Sequence, residues 1–91
     1  MSRGQVLEKA PIGLGRTIAI VRVIRGMRQK DLANALGVDA SHVSMLENGK
    51  REPSFGLVKR LAEALRIRPW KLHALAERSQ GQWLDEKGAG P

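Results

Sequence analysis

The run from Gln29 to Asn48, QKDLANALGVDASHVSMLEN, constrains this chain more than any other stretch. Its apolar spacing and its stop and start residues specify two short helices joined by a tight turn. Leu32 and Leu36 stand four apart on one face of the first helix of the pair, and Ala33 supplies the small side chain that lets a second helix come close. Gly37 ends that helix, because glycine enters the left-handed conformation at a helix C-terminus without steric cost. Val38 is then placed to fold back on the preceding apolar turn. Asp39 opens the second helix: its carboxylate suits the positive helix N-terminus and can accept the free N–H groups of Ser41 or His42. Val43 and Leu46 turn one side of this helix inward, which leaves Ala40, Ser41, Ser44 and Met45 facing solvent.

Capped helix pairs with a glycine between them occur in many bundles, so no single signal decides the matter. The order does, since Ala33, Gly37 and Val43 fall where a groove-reading helix pair wants a small residue, a left-handed turn and a branched apolar plug. Charge agrees: 16 Lys and Arg against 9 Asp and Glu give a net +7. Such an excess suits a solubilising surface as well as a polyanionic partner, and its placement favours the second. Arg16, Arg22, Arg25, Arg28 and Lys30 crowd the approach to the pair, and Lys50 and Arg51 follow it. A surface that touches two phosphate strands beside a groove needs cations at both ends of its reading element.

With 91 residues the chain closes one small core. The expected organisation is a flexible arm over 1–11, one globular unit over 12–79 and a tail over 80–91. Zero cysteine excludes disulfides and thiolate metal sites and fits a reducing cytoplasm. No apolar run approaches a membrane span and the first residues lack the apolar centre of a signal peptide, so the expected location is cytoplasmic, with no membrane partner.

Five helices are expected and no strand alternation is seen, which makes the fold class all-α. The first runs from roughly Gly13 to Ile24 with Leu14, Ile18 and Val21 inward and stops at Gly26. The pair described above supplies the second and third. Ser54 can cap a fourth helix with an inner stripe of Leu57, Leu61 and Leu65 beside Val58 and Ala62. Pro69 suits the first position of a fifth, with Leu72, Leu75 and Ala76 inward, fading near Ser79.

Residues from about Leu14 to Leu75 resemble the helix-turn-helix family of the phage lambda repressor and Cro, also called the Xre family. The matching residues are Leu14-Gly15-Arg16, Gln29, Ala33, Gly37, Val43 and, above all, Glu47-Asn48-Gly49-Lys50-Arg51-Glu52-Pro53-Ser54. The resemblance implies a five-helix lambda-repressor-like domain in which helices 2 and 3 form the helix-turn-helix. It also implies double-stranded DNA as partner and commonly a homodimer on a palindromic operator.

The third helix should lie in the major groove, so base readout falls to Ala40, Ser41, Ser44 and Met45. Serines bond to several bases, and Ala40 and Met45 offer only apolar contact. The family often has Gln in place of Ala40 and Arg or Gln in place of Met45, so shape readout or the flanking Lys50 and Arg51 take a larger share here. Phosphate contacts are expected from Arg28, Gln29, His42, Asn48, Lys50 and Arg51, with the N–H groups of Gly49 and Lys50 joining Asn48 in a second clamp. Gln29 reads otherwise as an ordinary first-turn glutamine, and Asn48 as a helix C-cap. Arg22 and Glu47 match a pair that bridges the first and third helices in the family and are read as structural.

His42 and His73 have no cysteine or carboxylate at ligand spacing, so no metal and no cofactor is expected. No nucleophile, base and orienting acid stand together, so no enzyme activity is expected. The leading function is a DNA-binding transcription regulator, a repressor or autoregulator. The alternatives are an antitoxin or other interaction module that holds a protein partner through the tail, and a nucleic-acid binder of low selectivity. One feature of the first helix stands apart: Ile20, Val23, Ile24 and Met27 point roughly opposite to its inner face. The tail through Trp83 and Leu84, the arm through Val6 and Leu7, or a second subunit are the candidates to cover them. Trp70 is a further surface apolar residue. A homodimer is expected, with the tail and the fifth helix rather than the first forming the two-fold contact.

Overall fold

The computed structural model describes residues 10–79. The expected arm residues Val6 and Leu7 and the tail residues Trp83 and Leu84 lie outside them. Five helices follow one another: α1 Leu14–Ile24, α2 Gln29–Leu36, α3 Ala40–Glu47, α4 Phe55–Leu65 and α5 Pro69–Ala76. Each begins and ends where the local chemistry directs. Ser54 accepts the Leu57 N–H at 3.1 Å and starts α4, and Pro69 opens α5, where a missing N–H costs nothing. Gly37 stands in the left-handed region with φ 71°, and the Val38 N–H reaches back to the Ala33 carbonyl at 3.0 Å, which closes α2 and turns the chain into α3.

Among the described residues, Ile18, Leu32, Leu36, Val43, Leu61, Leu65 and Leu72 form a single core drawn from all five helices. Burying each such side chain contributes about 1.5–3 kcal/mol against chain entropy. Thr17 is also buried and returns its hydroxyl to the Gly13 carbonyl at 2.8 Å, so its polar atom is satisfied within its own turn. Helix α1 runs antiparallel to α5. At one end the Ile12 and Gly13 N–H groups donate to Arg78 and Ala76, both at 3.0 Å, and Pro11 bridges Ser79. At the other end Arg25 reaches the last carbonyls of α4, just before α5 begins.

Several expectations are corrected. Asp39 is the residue before α3, but its side chain accepts no N–H; its backbone carbonyl takes the His42 N–H at 3.0 Å instead. Met27 lies beyond the end of α1, where the chain has already turned, and packs partly buried against the core rather than on the outer face. Arg25 is not part of the approach to the helix pair. Its Nε donates to the Leu65 carbonyl at 2.8 Å and its Nη2 to the Arg66 carbonyl at 3.0 Å, a cationic cap on the negative end of α4. Arg60, an exposed residue of α4, does the same for α2 by donating to the Leu36 carbonyl.

Gly15 shows why α1 and α3 meet so closely. A Cβ built there would overlap the Leu46 carbonyl oxygen and stand 3.0 Å from that of Glu47, and both are backbone atoms that cannot rotate away. Gly15→Ala is therefore expected to lower the unfolding free energy by about 2–3 kcal/mol, as forced overpacking does. Urea unfolding followed by circular dichroism measures it, and an unchanged midpoint would show that α1 can shift at no cost.

Candidate nucleic-acid interface

Helix α3 has one side locked in the core by Val43 and Leu46 and the other turned outward. Ala40 and Ser41 are exposed, Met45 is 38% exposed and Ser44 is half-buried. Ala40 with Ser44 and Ser41 with Met45 are each four apart, so the four expected readout residues form one continuous face. Ser44 is less open than expected because Asn48 folds back on it: the Asn48 Nδ2 donates to the Ser44 carbonyl at 2.9 Å and to its Oγ at 3.3 Å.

The expected pair of Arg22 and Glu47 is present and extended. Arg22 donates to the Glu47 carboxylate through Nε at 2.6 Å and Nη2 at 3.2 Å, and through Nη1 to the Met27 carbonyl at 2.7 Å. Gln29 adds its Nε2, which donates to Glu47 Oε1 at 2.9 Å. The first residue of α2 is thereby tied to the last residue of α3, through a carboxylate only 6% exposed. Position, and not the carboxamide alone, makes Gln29 notable: its backbone N–H opens α2, where first-turn N–H groups have no intrahelical partner.

Arg28 precedes α2 and lies on the surface, paired with Asp31 at 3.1 Å. Its backbone N–H also donates to Asp31 at 2.8 Å. These bonds, the guanidinium's first, hold the Asp31 carboxyl below its ordinary range. Beyond α3, Lys50 and Arg51 are exposed, and neither side chain has a partner among the described residues. The clamp expected from the Gly49 and Lys50 N–H groups is corrected. They donate to the carbonyls of Leu46 at 3.2 Å and Met45 at 2.9 Å, closing the end of α3 with Gly49 at φ 72°. Asn48 is the C-cap residue of α3, the alternative weighed for it. His42 is half-buried on α3 and His73 exposed on α5, and among the described residues no cluster of three His, Cys, Asp or Glu could hold a metal ion.

Sequence reasoning missed three features nearby. Between the start of α1 and the turn after α3 lies a cleft of about 400 Å³ lined by Arg16, Glu47, Asn48 and Arg51 among others. Phe55, at the head of α4, is exposed beneath Lys59, whose Nζ lies 5.9 Å from the ring centroid. The tie from Gln29 to Glu47 was the third. Only the last had a signal, an uncharged donor beside a carboxylate already assigned one partner.

An outward-facing helix at a glycine turn, braced by its predecessor and followed by exposed cations, defines a helix-turn-helix protein. Residues 18–69 match the family described as helix-turn-helix. Over 53 residues the chain is 36% identical to the uncharacterized HTH-type transcriptional regulator YazB of Bacillus subtilis (strain 168), covering 58% of this chain and 77% of that one. The restriction-modification controller protein C.AhdI from Aeromonas hydrophila superposes with a TM-score of 0.64 at 34% identity, over 67% of this chain and 92% of that one. The P22 c2 repressor, solved in complex with a synthetic operator, does so with a TM-score of 0.62 at 26% identity, over 76% and 96%. The chain belongs to the lambda-repressor-like helix-turn-helix family of DNA-binding transcription regulators, which are not enzymes. No helix among the described residues is long and apolar enough to cross a membrane.

Proposed function

We propose that the chain is a sequence-specific repressor or autoregulator that works in the cytoplasm, binding a palindromic operator as a homodimer with α3 in the major groove. The observation that carries this reading is the α3 surface: Ala40, Ser41, Ser44 and Met45 on one face of a helix whose register is held by Val43, Leu46 and the Glu47 network. Gln29, bonded to Glu47 at the end of α3, with Arg28 before it and Asn48, Lys50 and Arg51 beyond that same end, is the group read as holding the phosphate backbone. His42 adds a contact to it. Serine hydroxyls accept or donate to several bases and Met45 packs on a thymine methyl, so discrimination by α3 is modest and operator shape contributes beside it. For Arg28 to hold a phosphate it must release Asp31, an exchange that costs little between exposed groups.

The reading unit spans 12–79, with 1–11 as arm and 80–91 as tail. The dimer contact runs through α5, where Trp70 is 67% exposed. Recognition helices about 34 Å apart then require half-sites one helical turn apart. Footprinting on the DNA around the protein's own gene tests the proposal. The expected result is a protected site with two-fold symmetry and that spacing; weak, uniform protection along the fragment would contradict it. Sedimentation at tens of micromolar should give a dimer, and a monomer there would remove the two-fold reading.

A further inference from the structure

Of the exposed cations assigned to the phosphate backbone, Lys50 and Arg51 have no partner among the described residues, whereas Arg28 is already engaged. Its guanidinium donates to Asp31 as a fork, through Nε to Oδ2 at 3.2 Å and through Nη2 to Oδ1 at 3.1 Å. Arginine holds a phosphate by the same two-point geometry. Resting on the DNA-binding reading above, we propose that Asp31 is a built-in competitor for the phosphate: in the free protein its carboxylate occupies the guanidinium edge of Arg28 that the DNA backbone takes in the complex, and so it sets how tightly the chain binds any DNA.

The placement of Asp31 supports this role. It is the third residue of α2 and the acidic residue of that helix's first turn. The Arg28 backbone N–H donates to its Oδ2 at 2.8 Å, which fixes the carboxylate beside the guanidinium. Capping the start of α2 needs that backbone bond alone, so the fork to the side chain is an addition to it. Lys30 acts on Asp31 through charge only and does not replace the fork.

The size of the effect follows from exposure. The Arg28 side chain is 78% and that of Asp31 36% exposed, so the pair changes an equilibrium by a factor of about 1.5 to 5. A DNA phosphate can displace so weak a partner. Binding is nonetheless reduced at every site, because the apparent affinity falls with the fraction of protein in which Arg28 is free.

Asp31→Asn tests the proposal, since the carboxamide keeps an acceptor for the Arg28 N–H and drops the charge that holds the guanidinium. In fluorescence-anisotropy titrations at one low salt concentration, the variant should bind operator and random DNA more tightly by the same factor, about 1.5- to 5-fold per protomer. In an Arg28→Ala background the same substitution should lose most of that gain. A second readout needs no DNA: followed by NMR against pH, the Asp31 carboxyl should sit below its ordinary range in the wild type and rise toward it in Arg28→Ala. Unchanged or weaker binding by Asp31→Asn, with the circular dichroism melt of the wild type, overturns the proposal. So does an equal gain without Arg28, which would make the effect bare charge repulsion. Should the melt of Asp31→Asn fall, the titration decides, and an Asp31 that titrates identically with and without Arg28 overturns the proposal by showing no pair to release. Absence of DNA binding by the wild type would instead remove the DNA-binding reading itself.

Discussion

Glu47→Ala is expected to lower the unfolding free energy by about 3–5 kcal/mol, the cost of removing one partner from a buried ion pair. The Glu47 side chain is 6% exposed and that of Arg22 14%, so the guanidinium left behind would keep its charge with little water to solvate it. Three donors lose their acceptor together: Arg22 Nε, Arg22 Nη2 and Gln29 Nε2. A small domain has about 5–15 kcal/mol in all, so the loss takes a large share of the total and the urea midpoint should fall well below that of wild type. Glu47→Gln keeps the volume and an acceptor but not the charge, and should fall between. Urea unfolding of wild type, Glu47→Ala, Arg22→Ala and the double variant gives the coupling. A cost under about 1 kcal/mol for Glu47→Ala would mean the network behaves as an exposed pair.

The second large effect concerns binding. A dimer that neutralises on the order of six to ten phosphates should lose about 10³-fold or more in affinity between 50 and 200 mM salt. Of the cations proposed for this, Arg28, Lys50 and Arg51 are exposed. Arg22, Arg25 and Arg60 are engaged internally and do not enter the count. Removing Lys50 or Arg51 should reduce the slope by about one phosphate per site. A nearly flat salt response would remove DNA as the principal ligand.

The fold was legible wherever the deciding interaction is local. Gly37, Ser54 and Pro69 act within a turn of themselves, and the leucine stripes of α2 and α4 need only helical spacing. Interactions across the chain were not legible. Arg25 is bound to carbonyls 40 and 41 residues away, where the sequence reads it as a cation beside the helix pair, and Arg60 to one 24 residues away, with no signal in the sequence. Arg66 ends α4 with φ 56°, in a position where sequence reasoning looks for glycine. The Arg25 cap on its carbonyl is part of what offsets that cost. Gly15 was noticed for its place in a motif, while its physical reason, the approach of the α3 backbone, appears only when the helices are packed. On α3 the outward direction of the face expected to read bases followed from periodicity. The occupancy of the flanking groups did not, because Asn48, Gln29 and the Gly49 and Lys50 N–H groups all have competing partners inside the protein.

The central claim is that α3 reads sequence while its neighbours hold the backbone. Gel-shift titration of variants on the footprinted operator and on random DNA, at one fixed salt concentration, tests it most directly. Gln29→Ala and Asn48→Ala should weaken both complexes by about the same factor, since phosphate contacts position without reading. Ser41→Ala and Met45→Ala should change the ratio between the two, by up to about 1–3 kcal/mol per lost contact. Wild-type affinity and wild-type preference in both Ser41→Ala and Met45→Ala would contradict the claim and move the reading surface off α3.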